Sequence, residues 1–266
     1  MSANPWLQRF TPRPSARARL YCFHHAGVGA AVYRPWLAGL PAELELVAVQ
    51  LPGRANRLDE APVDRLGALV DALLPALRAE FDGKPFAFFG HSMGAVLAAE
   101  LARALRDAGA PGPQQLIVSG RRPPHWPSNE PALHRLPDDA FVAEIQRRYG
   151  GIPAELLQHA DVMALLLPSL RADIAALETH QPPAGRAPLD CALSVFGGSD
   201  DPLTPREHLD GWRSETRGPF RVRVFPGDHF YLTGRRDALL ADLSVTLAPL
   251  LTLPPATASV KSPSFA

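Results

Sequence analysis

Cysteine is scarce: Cys22 and Cys191 are the only two in 266 residues. Both stand in apolar, strand-like runs, where buried thiols are common, and a disulfide between them is left open. So thin a supply builds no disulfide framework, and nothing calls for an oxidising compartment. The sequence also lacks Cys-x-x-Cys and His-Glu-x-x-His strings, so no metal site is expected. Gly27-Val28-Gly29 lacks the third glycine and the acidic partner of a dinucleotide-binding loop. Neither sign of charge is in excess, with 27 Lys+Arg against 27 Asp+Glu. That removes any global electrostatic case for nucleic acid or an anionic membrane. No apolar run approaches the length of a membrane span, and residues 1–19 have no apolar h-region. These absences imply a cytoplasmic protein.

What remains is ordinary globular composition, 46% hydrophobic and 20% charged. It suits one larger domain, or one domain carrying an insertion. Short apolar runs alternate with helical patterns. Strands are expected at Arg19–Phe23, Leu44–Gln50, Pro85–Phe89, Gln115–Ser119, Leu189–Phe196 and Phe220–Phe225. Helices are expected near Tyr33–Leu40, Val63–Phe81, Ala95–Leu105, Pro205–Ser214 and Asp237–Leu251. Such alternation predicts an α/β fold: a mostly parallel sheet with helices on both faces and ligands beyond the carboxyl ends of the strands. Between His125 and Gln181 the alternation stops and helical segments follow one another, which reads as a helical lid over 125–181. The domain spans 17–252, with an irregular proline-rich lead-in over 1–16 and a flexible tail over 253–266.

The organising motif is Gly90-His91-Ser92-Met93-Gly94, set between an apolar strand and an Ala/Leu-rich helix. A Gly-x-Ser-x-Gly string in that context is the nucleophile elbow of the α/β-hydrolase fold. Side chains two before and two after the serine would meet neighbouring backbone, so both places need glycine. A serine hydroxyl needs a base, and a histidine base needs a carboxylate to hold its tautomer. In this fold the chain order is Ser, acid, His. His229 follows a strand in a Pro-Gly-Asp-His turn and is the best placed base. His24 and His25 read as loop-shaping or pocket-lining, and His91 as unable to face its neighbour usefully. His125, His134, His159, His180 and His208 read as solvated. The acid is Asp201, fixed by Pro202, with the adjacent Asp200 as the alternative because local spacing does not separate them. The oxyanion donors expected are the backbone N–H of Met93 and, from the early loop, of Ala26.

With these motifs in hand the chain resembles type II (external) thioesterases of nonribosomal peptide and polyketide synthesis. The matching pieces are Phe23-His24-His25-Ala26-Gly27, Gln50-Leu51-Pro52-Gly53-Arg54, the elbow, Ser119-Gly120-Arg121 and Leu136 to Phe141. They continue with Gly150-Gly151-Ile152-Pro153, Gly197 to Pro202, and Phe225 to Phe230. Val28 and Asp228 stand where that family commonly has glycine. The resemblance implies hydrolysis of acyl or aminoacyl thioesters from the phosphopantetheine arm of acyl or peptidyl carrier protein domains of a synthetase. It implies no cofactor of the enzyme's own, since the arm belongs to the partner. A free-standing carboxylesterase or lipase on the same fold is the alternative; an inactive binding protein is disfavoured by the intact serine, acid and histidine. Arg121 and Arg122 read as solvated loop charges, with contact to an acidic carrier protein as the other reading.

Overall fold

The computed structural model describes residues 4–126 and 130–254. Its frame is a seven-stranded sheet in the order β1-β3-β2-β4-β5-β6-β7. The strands are β1 (Leu7–Gln8), β2 (Ala18–Phe23), β3 (Leu44–Val49), β4 (Phe86–His91), β5 (Gln115–Ser119), β6 (Ala192–Gly198) and β7 (Phe220–Phe225). All neighbours pair in parallel except β1, which runs antiparallel to β3 with Leu7 opposite Val49. The lead-in expected to be irregular therefore supplies an edge strand. Its Leu7 is buried in the core.

Period-two alternation divides the strands between two cores. Phe86 and Phe88 of β4 face the layer built by α1 (Leu66–Arg78) and α2 (Met93–Asp107). Ala87 and Phe89 face the opposite layer, made by the 3-10 helix Ala30–Ala38 and by α8 (Arg236–Leu247). The Ala30–Ala38 segment carries Pro35 inside it. Proline lacks the N–H of a regular α-helix, which is consistent with the tighter, irregular turn seen there. Likewise the helix expected over Pro205–Ser214 is α6 (Arg206–Asp210) continued by a 3-10 segment Gly211–Glu215. A short α7 (Tyr231–Gly234) follows β7.

Between β5 and β6 the regular elements among the described residues are helical: a 3-10 turn Leu133–Arg135, α3 (Asp138–Tyr149), α4 (Ala154–Leu157) and α5 (Ala160–Glu178). Asp138 and Asp139 occupy the first turn of α3, and Arg147 and Arg148 its last. That is the charge order a helix dipole favours. These helices close a small core of their own around Leu133, Phe141, Ile145, Leu170 and Ile174. Cys22 and Cys191 are both free thiols. Among the described residues no helix is long and apolar enough to cross a membrane. From residue 255 on, the expected tail lies outside the described residues.

Candidate active site

The elbow is as tight as the motif requires. A Cβ on Gly90 would stand 2.0 Å from the carbonyl oxygen of Gly94, and one on Gly94 would stand 2.0 Å from that of Phe23. Both obstacles are backbone, so the two glycines let α2 leave the sheet directly against β2 and β4. Between them Ser92 is held at φ 53° and ψ −113°. A left-handed conformation for a non-glycine residue costs on the order of 1–3 kcal/mol and is maintained by its surroundings. Here the Ser92 N–H donates to the Ser119 carbonyl at 2.8 Å.

Two later strand ends bring the other expected groups to the same edge. Asp201 follows β6, and its Oδ2 lies 2.8 Å from Nδ1 of His229, which follows β7. The carboxylate also accepts from the Leu203 N–H at 2.9 Å and the Thr204 hydroxyl at 2.7 Å. Burial pushes the Asp201 carboxyl up, but these donors outweigh it and leave it below the usual carboxylate range. Asp200 points to solvent. Of the two adjacent acids, then, Asp201 meets the histidine. With Nδ1 donating to Asp201, the His229 ring presents Nε2, which is buried and has no hydrogen-bond partner.

Three more imidazoles stand on the elbow and on the early loop. Inside the elbow the His91 ring lies 5.0 Å from that of His229, centroid to centroid. Its Nδ1 is 2.8 Å from Ser119 Oγ, which is 2.6 Å from the Tyr231 hydroxyl. The His25 ring stands edge-on to His91 at 5.7 Å and to Phe230 at 5.1 Å. Burial lowers His24 and His25 to about 3, helped by Arg54 and by neighbouring imidazoles respectively. Burial lowers His91 well below the usual range too, and the nearby His229 and His25 add to it. These rings stay neutral at any physiological pH.

Two cavities meet at His229. The smaller, about 120 Å³, contains Ser92 and Ala26 and is walled by Ile145, Ile152, Leu170 and Phe230. The larger, about 820 Å³, is more polar and is bordered by Gly120 to Trp126, Tyr149, Thr204 and the segment 177–186. Met93 N–H is the first amide of α2 and has no helical acceptor behind it. Neither it nor the Ala26 N–H donates a hydrogen bond among the described residues.

Several histidines expected to be solvated have carboxylate partners as well, His125 while remaining exposed. His125 Nδ1 is 2.5 Å from Glu215 and His134 Nδ1 is 2.5 Å from Glu178. His180 lies 3.4 Å from Glu100. These pairs link segments about 45 to 90 residues apart, which sequence spacing does not disclose. Arg121 is only half solvated, and its Nε is buried without a partner.

The reading from sequence also missed a buried ion pair against the early loop. Asp173, in α5, receives both Nη groups of Arg54, at 2.5 and 2.8 Å, and the Gly27 N–H at 2.9 Å. Its only signal in the sequence is a lone acid within Ile174 and alanines 172, 175 and 176.

A strained serine between a parallel strand and a helix, with an Asp–His pair on two later strand ends, defines the class as the α/β-hydrolase fold. Within that class the chain belongs to the thioesterase family, whose Thioesterase domain model matches residues 18–246. It is 43% identical over 248 residues to the probable cadicidin biosynthesis thioesterase of Streptomyces griseus, covering 93% of this chain and 67% of that one. The RedJ thioesterase of the prodiginine pathway in Streptomyces coelicolor superposes with a TM-score of 0.82 at 41% identity, over 88% of this chain and 92% of that one. The type II thioesterase BorB of the borrelidin biosynthetic cluster superposes at 0.81 and 35%, over 93% and 98%.

Proposed function

We propose that this thioesterase hydrolyses acyl or aminoacyl thioesters from the phosphopantetheine arm of carrier protein domains, unloading or editing a nonribosomal peptide or polyketide synthetase in the cytoplasm. The observation that carries the chemistry is the His229–Asp201 contact of 2.8 Å, with a partnerless Nε2 on a cavity that also contains Ser92. Family membership carries the substrate class.

His229 Nε2 takes the proton of Ser92 Oγ as the oxygen attacks the thioester carbonyl carbon. The carbonyl π electrons move to oxygen, and the Met93 and Ala26 N–H groups stabilise that oxyanion. Collapse breaks the C–S bond, and His229 returns its proton to the departing thiolate. Water, deprotonated by the same ring, attacks the acyl-serine, and Ser92 leaves with the proton. Asp201 keeps Nδ1 protonated and stabilises the imidazolium. Because His229 must reach the departing sulfur, the arm belongs on its side of Ser92, in the larger cavity. The acyl group takes the small apolar one beneath the lid helices α3 to α5. The enzyme needs no cofactor of its own.

The test pairs an acetyl-loaded carrier protein with a p-nitrophenyl ester, each offered to the wild type and to Ser92→Ala. Unloading of the carrier that vanishes in Ser92→Ala, with sluggish ester cleavage, is expected. Rapid ester cleavage with an untouched carrier would sink the substrate assignment. Unloading that survives Ser92→Ala would sink the nucleophile.

A further inference from the structure

An amide that stabilises an oxyanion must be aimed to within about half an ångström, and a loop does not hold one so well unaided. Ala26 lies on such a loop, between β2 and the 3-10 helix that starts at Ala30. Both peptide planes that flank it are held by buried side chains. In the plane carrying the Ala26 N–H, the His25 carbonyl accepts from His24 Nδ1 at 2.8 Å. In a trans peptide the N–H points opposite to its carbonyl. His24 therefore turns the Ala26 N–H away from itself.

The next plane, joining Ala26 to Gly27, is fixed from α5. The Gly27 N–H donates to Asp173 Oδ2 at 2.9 Å, and Gly27 sits at φ +80°, where a Cβ would come within 2.9 Å of Leu170. Arg54 grips the same carboxylate with both Nη groups and reaches back to the loop through the Val28 carbonyl at 3.1 Å. Asp173 is fully buried, and the Arg54 side chain is only 7% exposed. Burial pushes the Asp173 carboxyl up, and the Arg54 guanidinium and the Gly27 N–H pull against that. A buried pair of this kind is weak evidence for stability, because apolar residues of similar volume commonly do as well. What apolar residues would not supply is an acceptor for the Gly27 N–H.

We propose that Asp173, oriented by Arg54, is a positioning residue that sets the Ala26–Gly27 peptide so that the Ala26 N–H faces the oxyanion. The inference rests on the acyl-transfer reading above. It makes α5 part of the oxyanion-stabilising apparatus as well as a wall of the acyl cavity.

The test compares wild type with Asp173→Asn and with the apolar pair Arg54→Met/Asp173→Leu. The pair carries no buried charge and serves if the single variant folds poorly. Active sites are counted with a fluorophosphonate that labels Ser92. Each variant is then assayed on an acetyl-pantetheine thioester and titrated with an alkyl trifluoromethyl ketone, whose hemiketal with Ser92 puts an oxyanion where the reaction does. The apolar pair should lose kcat by about tenfold or more with KM little changed, and its ketone inhibition constant should rise by the same factor. Wild-type kcat per labelled site and wild-type ketone affinity, even with lowered thermal stability, would overturn the assignment and leave the reaction intact. Full activity of Ser92→Ala would instead overturn the acyl-transfer reading itself, and this inference with it.

Discussion

Gly94→Ala is the sharpest perturbation of the elbow, because a single methyl group is added where only backbone surrounds it. The new Cβ would stand 2.0 Å from the Phe23 carbonyl oxygen, 2.5 Å from its carbon and 2.8 Å from the His24 carbonyl oxygen. Ordinary contact begins near 3.4 Å, so more than an ångström must be found by moving the start of α2 away from β2. Overpacking a core by a methyl typically costs about 1–3 kcal/mol, and here no flexible side chain can yield. A loss of about 3 kcal/mol is expected, which for a domain of this size lowers Tm by about 6–12 °C. The same movement shifts Ser92 relative to His229, and a misplacement of about an ångström costs about a hundredfold in kcat. Gly67→Ala is the control: it lies on the exposed face of α1 with nothing within 4 Å of the added Cβ. Removing a helix glycine there should raise stability by about 0.5–1 kcal/mol and leave kcat alone. Calorimetry and carrier-unloading rates on both variants decide the matter. A Gly94→Ala enzyme with wild-type Tm and wild-type kcat would refute the account of the elbow.

Asp201→Asn should lower kcat by about a thousandfold or more, because the amide no longer holds the productive His229 tautomer. Asp200→Asn should stay within about twofold; comparable losses in the two would mean that the acid is shared or misassigned. The acid limb of the kcat/KM profile between pH 5 and 8 should have a slope of one. Burial holds His24 and His25 at about 3 and His91 well below its usual range, so those three rings add no ionisation to that limb. A slope of two in the rate profile would show that a second imidazole titrates, contrary to the burial of these rings.

The elbow was legible because its constraint is local: two glycines, a serine, a strand before and a helix after. His229 was legible for a similar reason, standing directly beyond a strand. The acid was narrowed only to Asp200 and Asp201, since which of two neighbours turns inward depends on contacts with Leu203, Thr204 and His229 that local spacing does not fix. β1 escaped notice because two paired residues are too few to show alternation. Asp173 escaped because its partner Arg54 is 119 residues away. A helix pattern treats a lone acid in an apolar stretch as noise until the fold supplies a cation. His91 shows the opposite case: the tight turn hides its ring from solvent, yet the fold brings it within 5.0 Å of the His229 ring, which local spacing does not disclose.

The two ends of the sheet bear on how this molecule tolerates crowding by its own copies. At one end the outermost full strand, β3, is covered. Leu7 and Gln8 pair with it, and the Arg13 guanidinium takes up the carbonyls of Leu37, Pro41 and Leu44. At the other end β7 has no further strand beside it among the described residues, but its outward residues are Arg221 and Arg223, both paired with Asp242 of α8. Guanidinium groups spaced along a free edge discourage strand addition, which is how chains grow into aggregates. Removing residues 4–13 would uncover β3, whose six residues are all buried. The cost of that truncation would appear as fibrous self-association well before it appeared in catalysis.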